Sequence, residues 1–365
     1  MDRHEVFMKK VLELAERGRF TASPNPMVGA LVVKNGKIIS SAYHVRAGAF
    51  HAEALALRKA GGKAKGGTLY VNLEPCAHKG RTPACTEAII KSGIKKVYCA
   101  MLDPNPLNNG RGVKVLRNHN IEVSLGLLKE DAKDLNQVFI KYITKRLPFV
   151  RLKMAESLDG KIATRSYDSK WVTSDASRKY VHRLRSEVDA LLVGLNTVIK
   201  DNPLLTSRDK RPPIKVVLDS QLRISERSRI FSKKSPALSI IAVSKKALKK
   251  KEVLNKIKRL NKRGVLVIAC PSKYNKIDLK SLLRELAELE IAHLLVEGGG
   301  ETAASFLENR LVDKVLFFIA PKIIGGRDAV TSVEGKGARK VKNAIKLKEV
   351  KIEALGEDIL VEART

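Results

Sequence analysis

The sequence predicts an α/β protein built as two three-layer α/β/α domains. Two observations carry that prediction. At 365 residues the chain exceeds what one compact core usually supports. Both halves also alternate short apolar runs of strand length with segments of helical periodicity, the pattern of a mostly parallel sheet covered on both faces. A helical stretch over 130–145 then leads to Leu147-Pro148, which marks the boundary between domains at 1–147 and 148–365.

In the first half, Val6, Phe7, Val11, Leu14 and Ala15 recur at helical spacing. The breaker-rich Ser23-Pro24-Asn25-Pro26 follows. GALVV (29–33) and KIIS (37–40) flank Asn35-Gly36, the strongest short hairpin signal. A helix is expected over 51–60, a strand over 68–73, a helix from Cys85 to Lys91, a strand over 96–102, a helix over 111–118 and a strand over 121–126. The second half predicts strands at 149–155, 190–194, 214–219, 238–243, 265–269, 293–297 and 315–320. Helices are expected between them near 175–187, 246–262, 277–289 and 301–309. No internal repeat or low-complexity tract interrupts this order.

Hydrophobic residues make up 44% of the chain and charged residues 30%, as in soluble globular proteins. The chain opens with Asp2, Arg3, His4 and Glu5 rather than an apolar signal, and no stretch approaches the ~20 apolar residues of a membrane span. A cytoplasmic, non-membrane protein is expected. Of four cysteines, Cys99 and Cys270 lie in apolar strand runs and read as core thiols, whereas Cys76 and Cys85 sit among polar residues, Pro and Gly. The net charge of +32 suggests nucleic acid. Yet the excess is spread evenly: 25 basic against 12 acidic residues in 1–147, and 45 against 26 in 148–365. The exception is 245–263, with ten basic residues and one acid, where Leu254, Ile257 and Leu260 recur at helical spacing. That pattern reads as a solvated amphipathic helix with its apolar side on the core.

The chemistry concentrates in three strings. His51-Ala52-Glu53 is followed by Glu74-Pro75-Cys76 and by Cys85. One imidazole and two thiolates are a three-ligand zinc set with a fourth position open to water, one ion per chain. Glu53, two residues after the histidine, is placed to move a proton as the catalytic acid and base. His-x-Glu with Pro-Cys and a second Cys is the signature of hydrolytic deamination of a nucleobase-like ring. The plainer reading, a satisfied histidine and structural thiols, leaves Glu53 and Pro75 without a reason. Nucleoside deaminases separate the two cysteines by two residues; here eight intervene. That loop is expected to line the pocket, with His78 and Arg81 facing an anionic or hydrogen-bonding part of the substrate. Both metal-bearing segments begin helices, whose N-termini favour thiolates.

The run from Glu74 to Cys85 (EPCAHKGRTPAC) resembles the bifunctional riboflavin-biosynthesis deaminase/reductase family. So do Pro24 to Gly29, His51 to Glu53 and Asp103 to Pro106. The second half resembles the same family at Ser157 to Lys161, Asp168 to Trp171, Gly194 to Pro203, Val296 to Gly299 and Ala320 to Lys322, collinear over essentially the whole chain. The resemblance implies an N-terminal cytidine-deaminase-like domain and a C-terminal dihydrofolate-reductase-like domain. It implies zinc-dependent deamination of 2,5-diamino-6-(5-phosphoribosylamino)pyrimidin-4-one, then NADPH-dependent reduction to 5-amino-6-(5-phosphoribitylamino)uracil. Deaminase substrate contacts carry over to Asn25, His44, Ala52, His78 and Arg81. NADPH contacts carry over to Lys153, Ala155, Trp171, Thr197, Asp201 and Gly298, Gly299 and Gly300. Reductase substrate contacts carry over to Ser169, Arg185, Leu205, Arg208 and Glu297. A dimer or tetramer is implied. Ala84, Glu156, Tyr167 and the pair Asn108-Asn109 depart from the family's pattern without touching a named ligand, and Glu156 bears on the cofactor contact at Ala155.

Read without the family, the Gly298–Gly300 turn between a strand and a helix suits a phosphate or close packing equally. It lacks the full Gly-x-Gly-x-x-Gly spacing of a Rossmann site. Arg185 and Arg208 offer a bidentate phosphate clamp, but in a chain this basic a single arginine more often reads as a surface residue; Trp171 reads as core or rim packing. Two other functions remain as contrasts: an RNA-editing zinc deaminase with a basic RNA-binding C-terminal region, and a non-catalytic zinc-stabilised RNA module. The spacing between the cysteines and the even charge argue against both.

Overall fold

The computed structural model describes residues 2–78, 83–207, 212–232 and 237–365. The chain separates into two compact units, Met1–Leu147 and Pro148–Thr365.

The first unit holds a five-stranded sheet of β1 (Gly29–Lys34), β2 (Lys37–Tyr43), β3 (Thr68–Val71), β4 (Lys96–Cys99) and β5 (Glu122–Leu125) in the order β2-β1-β3-β4-β5. β1 is antiparallel to β2 and β3, and β3, β4 and β5 run parallel. Asn35 and Gly36 both adopt positive φ in the β1–β2 turn, which is why that dipeptide stands there. The helices are α1 (Arg3–Glu16), α2 (Ala52–Ala60), α3 (Cys85–Ser92), α4 (Arg111–Asn118), α5 (Lys129–Leu135) and α6 (Gln137–Lys145). α2, α3 and α4 pack side by side, and α1 packs with α5. Met8, Val11, Ala30, Val32, Ala56 and Leu69 are all fully buried in the core between them.

The single helix expected over 130–145 is two. They break at Asn136, which is buried because its amide is needed elsewhere. Asn136 Oδ1 accepts the Met27 N–H at 2.8 Å, and its Nδ2 donates to Met27 O at 3.0 Å. Asn72 repeats the device from β3's end, accepting the Gly29 N–H at 2.8 Å and donating to Met27 O at 2.9 Å. Two buried amides thus fix the loop that carries Asn25.

The second unit holds a nine-stranded sheet. Its strands, with those of two small ribbons, are β6 (Phe149–Ser157), β7 (Lys161–Ala163), β8 (Ala190–Gly194), β9 (Ile214–Leu218), β10 (Ser239–Ser244), β11 (Val265–Cys270), β12 (Ser272–Lys273), β13 (Lys276–Ile277), β14 (His293–Val296), β15 (Lys314–Ala320), β16 (Val330–Thr331), β17 (Lys348–Leu355) and β18 (Asp358–Arg364). The main order is β11-β10-β9-β8-β14-β6-β15-β18-β17; β12 pairs β13 and β7 pairs β16. The seven strands from β11 to β15 are parallel, as the apolar runs predict. The antiparallel hairpin β17–β18 closes one margin and is not among the expected elements, although Val350, Ile352 and Ala354 alternate with Lys351 and Glu353 as in a strand; β17 stays exposed along almost its whole length. The helices are α7 (Asp175–Glu187), α8 (Leu195–Asp201), α9 (Lys251–Lys262), α10 (Leu279–Glu288) and α11 (Gly300–Glu308). One core joins Val181, Leu184, Val198 and Leu260 of α7 to α9 to Leu191, Val217, Ile241 and Phe318 of the sheet. The alternate residues Leu192, Val216, Ile240 and Leu294 are also fully buried. α10 and α11 bury Leu282, Leu286, Ala303 and Phe306.

The basic segment 245–263 sits with its apolar side on the core, but the stripe is Val253, Ile257 and Leu260; Leu254 is half exposed. Several of its cations hold the preceding loop. Lys256 Nζ donates to Leu222 O at 2.9 Å and to Ile224 O, and Arg259 pairs with Glu226. Cys99 and Cys270 are buried core thiols. Among the described residues no helix is long and apolar enough to cross a membrane.

Candidate functional sites in the two units

His51, Cys76 and Cys85 converge: one ligand atom from each lies within 4.8 Å of the others. His51 caps α2, Cys85 is the first residue of α3, and Cys76 lies in the loop after β3. His51 Nδ1 stands 3.2 Å from Cys85 Sγ and 3.6 Å from Cys76 Sγ. At the start of α3 the Cys85 N–H donates to Cys76 Sγ at 3.3 Å. The protons distribute accordingly. The Cys76 thiol is pushed down to about 4, first by the hydrogen bond from the Cys85 thiol and then by His51. Its hydrogen bond to Cys76 and burial push Cys85 up, and His51 is raised by its bond to Cys76. The helix-start argument therefore selects Cys76, which receives the α3 amide, and not Cys85, which begins the helix. A half-buried thiolate and imidazole and a buried thiol with overlapping reach are a donor set that a zinc ion fits.

Glu53 lies in the first turn of α2 and is buried; burial raises its carboxyl above the ordinary range, and His51 and Cys85 are among its electrostatic neighbours. Asn25 and His44 join this centre. Asn25 Nδ2 donates to His44 Nε2 at 3.0 Å, which leaves Nδ1–H of His44 to donate to Phe50 O at 3.2 Å. The His44 and His51 rings meet edge to face at 5.5 Å. Burial lowers His44, consistent with that neutral tautomer. Ala52 is buried beside them; His78 is exposed. Arg81 lies outside the described residues.

Two residues outside the ligand set shape the loop around Cys76. Glu74, buried, accepts the N–H groups of Asp103 (3.0 Å), Gly110 (2.9 Å) and Val113 (3.0 Å). It is an anchor for the 103–113 segment and not a second catalytic acid. Asn108 bonds to Pro75 and Ala77, the residues on either side of Cys76, so one of the departing positions does reach a ligand's neighbours. Its signal was an amide where an apolar side chain is expected.

In the second unit, Arg185 and Glu297 form a fork: Nε donates to Oε1 at 2.8 Å and Nη2 to Oε2 at 2.7 Å. Arg185 Nη1 donates to Thr206 O at 3.2 Å. The Nε–Nη2 edge of Arg185 thus already grips a carboxylate. Arg208 lies outside the described residues. Burial would push Glu297 up, but Arg185, its hydrogen bonds and then Lys153 hold it down at about 2. Lys153 is itself lowered by burial and lies over the Phe318 ring at 5.7 Å. Ala155 packs against the same core. Glu156 points to the other face of β6, as strand alternation requires, and its carboxyl meets Ser332.

The 164–171 loop leans on α8: the Lys200 ammonium lies over the Tyr167 ring, and Lys170 is an electrostatic neighbour of Asp201. This brings the half-buried Ser169 and Thr197 and the exposed Asp201 to one region. Trp171 is neither core nor packed rim; it is 66% exposed with Arg178 over its ring at 4.7 Å. Leu205 is buried. In the glycine turn, a Cβ on Gly298 would meet Thr302 at 2.6 Å and one on Gly300 would meet Thr331 O at 2.5 Å, whereas Gly299 faces open space. Packing explains two of the three glycines, and Gly299 leaves backbone at the N-terminus of α11 open to a ligand.

A family model described as the RibD C-terminal domain matches residues 148–361, and one described as the cytidine and deoxycytidylate deaminase zinc-binding region matches residues 1–101. The riboflavin biosynthesis protein RibD of Aquifex aeolicus is 46% identical over 358 residues, spanning 97% of this chain and 96% of its own. Its namesake in Escherichia coli K12 is 38% identical, spanning 97% of each chain. Among solved structures, Acinetobacter baumannii RibD gives a TM-score of 0.88 at 34% identity, over 99% of this chain and 98% of that one. A Thermotoga maritima protein described as a diaminohydroxyphosphoribosylaminopyrimidine deaminase/5-amino-6-(5-phosphoribosylamino)uracil reductase gives 0.85 at 40% identity with the same coverage.

Proposed function

This chain belongs to the family of the riboflavin biosynthesis protein RibD and is a bifunctional deaminase and reductase; from that premise we propose how its residues divide the work. Residues 1–147 deaminate 2,5-diamino-6-(5-phosphoribosylamino)pyrimidin-4-one, and residues 148–365 reduce the ribosyl chain of the product. The observation that carries the first assignment is the convergence of His51, Cys76 and Cys85 in one unit with the buried Glu53.

His51, Cys76 and Cys85 would hold the zinc ion, which when bound would act as a Lewis acid and bring water to ionise near neutral pH. Glu53, whose carboxyl burial raises above its ordinary range, would take one proton from the attacking water and give it to the ring nitrogen, then take the remaining hydroxyl proton and give it to the leaving amine, so that ammonia departs and a carbonyl is left. Asn25 and neutral His44 orient the pyrimidine, with Ala52, His78 and Arg81 along its other edges.

In the second unit NADPH supplies the hydride. Lys153, Ala155, Trp171, Thr197, Asp201 and the Gly298–Gly300 turn hold the dinucleotide, Gly299 offering its open backbone. Ser169, Leu205 and Arg208 contact the phosphorylated substrate, and the Arg185–Glu297 fork presents Glu297 in a fixed, ionised state. The chain works in the cytoplasm, where four free cysteines stay reduced, and associates with copies of itself as a dimer or tetramer. The RNA-editing alternative finds no support: matches run through both halves, and the basic helix uses part of its charge to hold its own loop.

The test is Glu53→Gln in the full chain. Ammonia release from the pyrimidine nucleotide should fall about 10²–10⁴-fold, while bound zinc and NADPH oxidation on the deaminated intermediate persist. Unchanged ammonia release would remove Glu53 from the mechanism.

A further inference from the structure

We propose that Asn108 is a positioning residue of the deaminase centre: its amide fixes the peptide groups on both sides of Cys76 and so holds that thiolate where His51 and Cys85 meet it. The inference rests on the reading of His51, Cys76 and Cys85 as zinc ligands.

Asn108 is 0% exposed. Its Oδ1 accepts the Ala77 N–H at 2.9 Å; its Nδ2 donates to Pro75 O at 3.4 Å and to Asp103 Oδ2 at 3.2 Å. One donor and two acceptors surround it, and they fix the amide's orientation. Flipped, it would turn an NH₂ to an N–H and an oxygen to two oxygens. Its own backbone is tied down, with its N–H donating to Asn105 O at 2.9 Å and its carbonyl accepting the Arg111 N–H at 2.6 Å. Pro75 O is confined from another side by Gly112, where a Cβ would lie 2.0 Å from that oxygen. Cys76 therefore sits between two peptide groups that cannot rotate while Asn108 is in place. Groups one bond sequence removed from a metal ligand set its direction, and losing them commonly costs 10–100-fold in metal affinity. Cys76 has a particular need of this support. Unlike His51 and Cys85, it belongs to a loop and not to the start of a helix.

The experiment uses the full chain as wild type, Asn108→Val and Asn108→Thr. Val removes all three side-chain bonds at similar volume, and Thr returns one hydroxyl. Zinc release to a chromogenic chelator and the thiolate absorption of the cobalt(II)-substituted protein are measured, with NADPH oxidation on the same samples as the fold control. The Val variant should release zinc about 10-fold faster or more, with an altered cobalt spectrum. Thr should fall between it and wild type, and NADPH oxidation should not change. Wild-type release and an unchanged spectrum for Asn108→Val would overturn the inference, as would loss of the reductase rate alongside zinc. A wild-type chain that takes up no zinc would instead sink the ligand assignment beneath it.

Discussion

In the first unit the reactive side chains come from the ends of elements that lie close together in sequence, and three of them tune one another with the help of one main-chain amide. In the second, the charged centre joins Arg185 of α7 to Glu297 after β14, 112 residues apart, and one side chain tunes the other. The first arrangement depends on a loop keeping its path, because an amide of α3 and the Asn108 clamp together place Cys76. The second depends on a charge keeping its partner in a place where water does not reach either freely. Loss of one residue should accordingly do different damage in the two: chemistry without collapse in the first, stability together with chemistry in the second.

The strongest challenge to that contrast is Cys85→Ser. Zinc content should fall far below one per chain and ammonia release should vanish, while NADPH oxidation on supplied intermediate continues; metal analysis and both assays on one preparation decide it. Next comes Arg185→Leu, which leaves Glu297 charged and without its fork. The second unit should lose about 3 kcal/mol, read as a lower urea midpoint for its transition alone. A variant of wild-type stability would mean that the fork is dispensable and the contrast is false. The same pair gives a pH dependence. Glu297 is held at about 2 against an ordinary value of 4.5, so the folded form prefers the ionised carboxylate. Its contribution is whole above about pH 4.5 and is lost as pH falls toward about 2, on the order of 3 kcal/mol in all. Urea midpoints from pH 6 to 3 should fall more steeply for wild type than for Glu297→Gln. The smallest effect is expected at Arg259→Ala. Its partner Glu226 is at the surface, and the urea midpoint should not move measurably.

Much of the fold was legible because buried parallel strands advertise themselves as unbroken apolar runs, as at 190–194 and 315–320. What escaped was decided by contacts distant in sequence. Asn136 breaks a helix to reach Met27, 109 residues away. β17 is the exception, since Val350, Ile352 and Ala354 alternate with Lys351 and Glu353 in a local strand pattern although the strand stays exposed. In the first site, ligand spacing and chemistry share one short stretch, so the cluster could be read directly. In the second, neither Arg185 nor Glu297 differs in type from many surface residues of a chain with +32 net charge, and the grip of each on the other has no trace in local sequence. Asn108 falls between these cases: an amide at an apolar position was visible, but its three partners were not.

β6, an interior strand of the second sheet, is made early and completed late. Its neighbours are β14, where Phe149 aligns with His293, and β15, where Arg151 aligns with Lys314. At roughly 5–20 residues per second, a ribosome needs on the order of 10 s to make the intervening chain. During that interval Val150, Leu152 and Met154, all buried in the finished protein, have no strand on either side. The first unit can close around its hairpin in the meantime. Birth of the second half is therefore the vulnerable moment for this polypeptide, and 149–157 is the segment that a chaperone would meet.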